Sequence, residues 1–121
     1  MNNYLNSFRL YRATKNTIDG LKILWCKEQA FRQEIYVSII LIPIIFFLSI
    51  SPTLKLLLIL LLFFLLLVET INSAIEVIID RISLDINPQS KMAKDMGSAA
   101  VAIAILMNMI AWVYSLLNIY S

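Results

Sequence analysis

The 121-residue chain contains no histidine and a single cysteine, Cys26. With one thiol and no imidazole, zinc sites and Cys–His nucleophilic sites are excluded, and no intrachain disulfide can form. Glycine is nearly as scarce, at Gly20 and Gly97 alone. Two isolated glycines cannot make a glycine-rich phosphate loop, and the catalytic-loop motif of soluble protein kinases is also missing. Charge is thin: 15% of residues are Asp, Glu, Lys or Arg, and the net charge is +2. With no basic run interleaved with aromatics, this argues against a nucleic-acid partner. The N-terminus shows no basic tip, apolar run and small-residue cleavage site in series, so no signal peptide is expected.

What is present is hydrophobic. Apolar residues make up 60% of the chain and the mean hydropathy is +0.82, too apolar for a soluble domain of this length. The charges are sorted, most falling before residue 36 or between 69 and 95. That sorting is the pattern of an integral membrane protein. Residues 35–54 carry no charge; twenty residues at ~1.5 Å rise cover about 30 Å, the thickness of the hydrocarbon core. Pro43 is expected to kink this first span, and "SISPT" to turn the chain into a second helix near Leu54. "SLDINPQS" reads as a loop, and residues 96–121, without charge and with Trp112 and Tyr114 toward the far end, give a third span.

Lys and Arg set the expected orientation. Arg9, Arg12, Lys15, Lys22, Lys27 and Arg32 precede the first span, and Arg81, Lys91 and Lys94 flank the loop after the second. Only Lys55 lies between spans one and two. Basic segments stay in the cytosol, so the N-terminus and the 81–95 loop are predicted inside and the C-terminus outside. Residues 4–34 place Phe8, Tyr11, Ile18, Leu21, Leu24 and Trp25 at helical spacing among charges. This predicts an amphipathic helix along the interface, with Asp19 and Gly20 as its candidate break; read by composition alone it is a simple anchor. The expectation is an all-α membrane protein: a surface helix over 4–34, spans over 35–51, 54–82 and 96–119, and a helical bundle oligomer, all in one membrane domain.

The informative stretch is "VETINSAIEVIID" (68–80), which follows thirteen uncharged residues, 56–68, with no turn signal between. At 100° per residue, Glu69, Ser73, Glu76 and Asp80 fall within about 60° of arc, with Asn72 beside them. A charge near the bilayer centre costs roughly 2.5–3.5 kcal/mol and a leucine returns only about 0.3–0.6. Three carboxylates facing lipid would cancel most of the gain from residues 56–68. The stripe therefore faces protein, water or a cation. Pairing with Lys or Arg is a plain reading for Asp80, near Arg81. It is weaker for Glu69, because spans one and three offer no Lys or Arg at that depth. Carboxylates facing the cytosol suit a hard divalent ion such as Mg²⁺, or else proton movement. A proton-coupled transporter and a membrane enzyme for a phosphate–metal substrate both remain open. "KMAKDMGSAA" (91–100) bears on that choice: Lys94 can neutralise phosphate at a helix start, and Gly97 allows close approach, although a Lys-Asp pair there is also ordinary capping.

"EQAFRQE" (28–34), "VETINSAIEVIIDRI" (68–82) and "AKDMGSAAV" (93–101), in this order and spacing, resemble the prokaryotic diacylglycerol kinases, small three-span lipid kinases unrelated to soluble kinases. The resemblance covers essentially the whole chain, and the wording is closer to the diacylglycerol branch than to the undecaprenol kinase branch. It implies a homotrimer with sites between protomers near the cytosolic face, and transfer of the γ-phosphate of MgATP to diacylglycerol. The roles it implies are Glu69 as general base, Glu28 and Glu76 as metal ligands, and Arg9, Asn72, Lys94 and Asp95 as nucleotide contacts. It also implies Gln33, Glu34, Ser98 and Trp112 around the lipid, and a structural Asp80. The 84–92 loop lacks the histidine and glycine that some members carry there.

Overall fold

In a computed structural model, which describes residues 3–82 and 84–120, the chain forms four α-helices. They are α1 (Asn3–Lys27), α2 (Gln29–Phe47), α3 (Pro52–Ile82) and α4 (Pro88–Leu117). The last three are each long and apolar enough to cross a bilayer.

The helix ends follow from local chemistry. Ser51 Oγ accepts from the Leu54 backbone N–H at 3.3 Å, and Pro52 opens α3 where its missing donor costs nothing. Asn87 caps α4, its side chain accepting from Gln89 N at 2.8 Å and Ser90 N at 3.4 Å, with Pro88 following. At the other end of the bundle, Lys55 Nζ donates to the Phe46 carbonyl at 2.8 Å, and the backbone N–H of Tyr120 donates to the Ser49 carbonyl at 2.9 Å.

The surface segment departs from expectation. α1 runs through Asp19 and Gly20 without a break. The chain instead turns at Glu28, whose backbone is extended (φ −108°, ψ 104°). Neither glycine nor proline marks the place. Side chains hold it: the Arg32 guanidinium donates to the Trp25 carbonyl at 2.6 Å, and Trp25 meets Tyr36 edge-on with centroids 5.6 Å apart. Helix α2 consequently begins at Gln29, and residues 29–34 extend the first span rather than the surface helix.

The three long helices are antiparallel neighbours, α3 packing on both α2 and α4. Helix α3 presents one continuous face to its partners. Leu58, Leu62, Glu69, Asn72, Ser73 and Ile79 are all buried on it. In its first half that face is leucine, packed with Ile45, Ile50 and Ala111 into the core; in its second half it is carboxylate, amide and hydroxyl. Several polar contacts join α3 to α4. The Asn108 amide donates to the Leu61 carbonyl at 3.0 Å, and Asn72 lies directly against the Cα of Gly97. Large apolar side chains such as Phe47, Phe63, Ile78 and Ile110 remain on the outside, as lipid or another copy requires.

Candidate functional site

The site occupies the second half of α3 and what faces it. Glu69 is 6% exposed, Asn72 8% and Ser73 4%. Glu76 is half-buried one turn further on. Helix α2 brings Glu34, also half-buried, and the turn before it brings Glu28. The carboxylates of Glu34, Glu76 and Glu28 all lie close enough to Glu69 to repel its charge. No lysine or arginine bonds to any of them among the described residues. The acids expected from the sequence to act together are therefore near one another within one chain, with no ion pair to any of them among the described residues.

Asn72 joins this cluster to α4. Its Nδ2 makes a long 3.5 Å contact to Glu76 Oε1, while its Oδ1 is buried without a hydrogen-bond donor. A Cβ placed on Gly97 would overlap Asn72 Oδ1 and lie 3.2 Å from its Cγ. Gly97 is thus a glycine because the Asn72 amide takes the space of its side chain. Ser73 Oγ and Glu34 Oε2 are likewise buried without a partner. Unsatisfied buried polar atoms are costly and sparse in ordinary cores, so three around one acid mark a place shaped for something other than packing.

The lysines are arranged differently from the expected Lys94–Asp95 unit. Lys94 Nζ is 2.7 Å from Asp80 Oδ1, across from α4 to α3. Asp95 pairs with Lys91 at 2.6 Å on the outer side of α4. Lys94 also feels the Glu76 carboxylate, so it stands at the edge of the acid cluster. The Asp80–Lys94 pair, with Asn87 and Ser90, lines a hollow of about 280 Å³ beside the α3–α4 connection. On the other side of α3, a mostly apolar groove of about 360 Å³ runs between α1 and α3. It is lined by Gly20, Leu24, Glu28, Ser73, Ala74 and Ile78, among others.

Not every expected site residue joins this assembly. Arg9 is on the exposed part of α1, about 28 Å along the helix from Glu28, because α1 is unbroken. Trp112 packs on the Ile45–Leu58–Leu62 core at the opposite end of the bundle. It lies fifteen residues, about 22 Å, along α4 from Gly97. Gln33 and Ser98 are close in sequence to the cluster but exposed on the outer surface of the single chain. Sequence reasoning gives Asp80 a basic partner without identifying it as Lys94, and it misses the partner of Gly97 and the polar contact of Asn108. Only the last left a signal, a lone amide in an uncharged run.

Comparison with known proteins fits this arrangement. The family model for "Prokaryotic diacylglycerol kinase" matches residues 15–116. The diacylglycerol kinase of Pseudomonas aeruginosa is 40% identical over 110 residues, covering 91% of this chain and 89% of that protein. That of Escherichia coli is 39% identical over 111 residues, covering 92% and 91%. That of Haemophilus influenzae is 39% identical over 103 residues, covering 85% and 87%. With the match spanning all three apolar helices and the acid cluster between them, the chain belongs to the prokaryotic diacylglycerol kinase family.

Proposed function

We propose that the protein is an ATP-dependent diacylglycerol kinase of the bacterial inner membrane, working at the cytosolic face as a homotrimer with sites between protomers. The observation that carries this reading is the buried, unpaired Glu69 at the centre of Glu28, Glu34 and Glu76, in a chain of this family. A carboxylate without a cation at bilayer depth is costly unless chemistry uses it.

Phosphoryl transfer asks for positioning, charge neutralisation and a group that takes the acceptor proton. Glu69 would take the proton of the diacylglycerol hydroxyl. The oxygen then attacks the γ-phosphorus as its bond to the β-phosphate oxygen breaks, and ADP leaves with that electron pair. Asn72, held against Gly97, would orient the transferring group. Lys94 would exchange Asp80 for phosphate oxygens, with Asp95 and Arg9 as further nucleotide contacts. Gln33, Glu34, Ser98 and Trp112 would surround the lipid, those exposed on one chain acting across a protomer boundary.

The implied metal fits the donors. Mg²⁺ is commonly held by one or two carboxylates together with substrate phosphates. Glu28 and Glu76 would supply two such hard oxygen ligands near Glu69. No three of the acids among the described residues stand together as a ready-made metal site. When bound, the ion would neutralise charge on the nucleotide phosphates.

The test is a phosphate-transfer assay on purified protein in mixed micelles, with ATP, Mg²⁺ and a panel of lipid alcohols. Phosphatidic acid is the expected product. Preference for undecaprenol would assign the chain to that branch. Proton-driven transport with no phosphorylated lipid would support a transporter instead.

A further inference from the structure

The turn at Glu28 falls where local sequence gives no reason for one. Lys27, Glu28, Gln29 and Ala30 are all good helix formers, while the softer position, Gly20, stays helical. Across the turn, backbone bonds run from Glu28 N to the Leu24 carbonyl at 2.9 Å and from Arg32 N to the Glu28 carbonyl at 3.2 Å. The Trp25 carbonyl is treated differently. In a continuous helix it would accept from Gln29 N; here it accepts from Arg32 Nη1 at 2.6 Å. A cation at the end of α1 also suits the negative end of the helix dipole. Glu28 stands at the N-cap position of α2, yet its side chain caps nothing. It lines the groove against Thr70, Ser73 and Ala74 of α3 instead.

The Arg32–Trp25 bond belongs to the bent chain alone. In an unbroken helix the two residues would be roughly 10 Å apart along the axis, and the Trp25 carbonyl would already be taken by the backbone. The Trp25–Tyr36 contact is confined to the bent form in the same way. On one straight helix these residues would be about 16 Å apart, whereas their ring centroids are 5.6 Å apart. An interaction made in only one of two states shifts the balance toward that state. The bilayer cannot replace it. An interface holds an amphipathic helix at the surface but leaves it free to swing in the plane, and it would accept a hinge at Gly20 equally well. Helix α1 also reaches the bundle chiefly through α2, so the turn decides where Glu28 is aimed.

We propose that Arg32 is a positioning residue for Glu28: by donating to the Trp25 carbonyl it holds the α1–α2 bend at residue 28 and keeps the Glu28 carboxylate turned toward α3 and the acid cluster. This rests on the kinase reading, in which Glu28 meets the metal of MgATP. Arg32 acts through the bend and needs no contact of its own with the nucleotide.

The test uses full-length protein and two readouts that need no turnover. The first is the bend. In a Cys26→Ser background, Trp25→Cys with Tyr36→Cys places thiols that a short bifunctional reagent bridges only in the bent chain. With the ring contact gone, Arg32 is left to hold that form. The second, in the otherwise wild-type chain, is equilibrium binding of the non-hydrolysable β,γ-methylene analogue of ATP with Mg²⁺. Arg32→Met, similar in length but without a donor, should cut 25–36 cross-linking several-fold. It should weaken analogue binding roughly 10- to 100-fold, the usual loss when a group orienting a metal ligand is removed. The KM for MgATP should rise in step, with the KM for diacylglycerol unchanged. Arg32→Lys, which keeps a donor, should recover most of both readouts. In a Glu28→Gln background, Arg32→Met should cost little more, since its effect runs through Glu28. If Arg32→Met does not fold, Arg32→Gln, polar but too short to reach the Trp25 carbonyl, decides by the same readouts. Unchanged cross-linking, unchanged analogue affinity, or an equal loss in the Glu28→Gln background overturns the proposal. A wild-type protein that binds no analogue and phosphorylates no lipid overturns the kinase reading instead, and the cross-linking still decides whether Arg32 holds the bend.

Discussion

Glu69 and Glu76 are two turns apart on one face of α3, yet the chain surrounds them differently. Glu69 is buried, while Glu76 is half-buried and borders Lys94. That difference supports a base at the first and a metal ligand at the second. Glu69→Gln keeps shape and hydrogen-bonding capacity but cannot accept a proton. Turnover should fall by ~10²–10⁴-fold, the usual contribution of a general base, with little change in the apparent KM for ATP. Near-normal turnover in the micelle assay would remove Glu69 from that role. Gly97→Ala probes the neighbouring contact. Alanine gains up to about 1 kcal/mol of helix propensity, but its methyl would overlap Asn72 Oδ1, and overpacking of that kind costs about 1–3 kcal/mol. The clash should win. Lower kcat and a lower unfolding temperature are expected together, and a variant both stable and fully active would show that Asn72 moves freely.

At the scale of the helix, α3 was the most legible part of the chain. The arc that carries Glu69, Ser73, Glu76 and Asp80 follows from 3.6-residue periodicity. The cost of charge in lipid then dictates that most of it be covered, and Glu69 and Ser73 are buried. The turn at Glu28 was not legible, since it depends on Arg32 reaching back seven residues and on the Trp25–Tyr36 contact, neither of which leaves a local signal. Asn108 stands in an uncharged stretch that reads as uniform. Adjacency in sequence suggests Lys94 with Asp95, whereas one helical turn directs Asp95 to Lys91 and frees Lys94 to cross to Asp80. A prediction belongs to this helix. Replacing a buried ionic group with an apolar one is often neutral or stabilising, and Glu76 has only a 3.5 Å contact to Asn72 as a hydrogen bond. Glu76→Leu completes the apolar face of α3. Without Mg²⁺ it should unfold at least as late as wild type in thermal or denaturant titration, and it should lose both kinase activity and stabilisation by MgATP. Easy unfolding, with residual folded protein still active and Mg²⁺-responsive, would make Glu76 a structural partner and move the metal to other acids.

The whole molecule raises a question that one chain does not answer. Glu69 is buried, but Asp95 points outward to Lys91, and Gln33 and Ser98 lie on the outer surface. Gln33 and Ser98 lie on the membrane-crossing helices, where a polar group faces protein rather than lipid, and three helices alone have no further surface with which to cover them. A neighbouring copy does, which is why the proposed site lies between protomers, with Glu69 from one chain and Asp95 from the next. Subunit mixing tests this. Glu69→Gln and Asp95→Asn should each be nearly inactive alone. Mixed one to one, unfolded and reassembled, each composite site draws its Glu69 and its Asp95 independently from the two pools. About a quarter of the sites then regain both intact residues by random assortment in a closed ring, and kinase activity should recover toward that fraction of wild type. If cross-linking demonstrates mixed oligomers and no activity returns, Glu69 and Asp95 act within one chain, and the outward pair with Lys91 must open to let Asp95 turn inward.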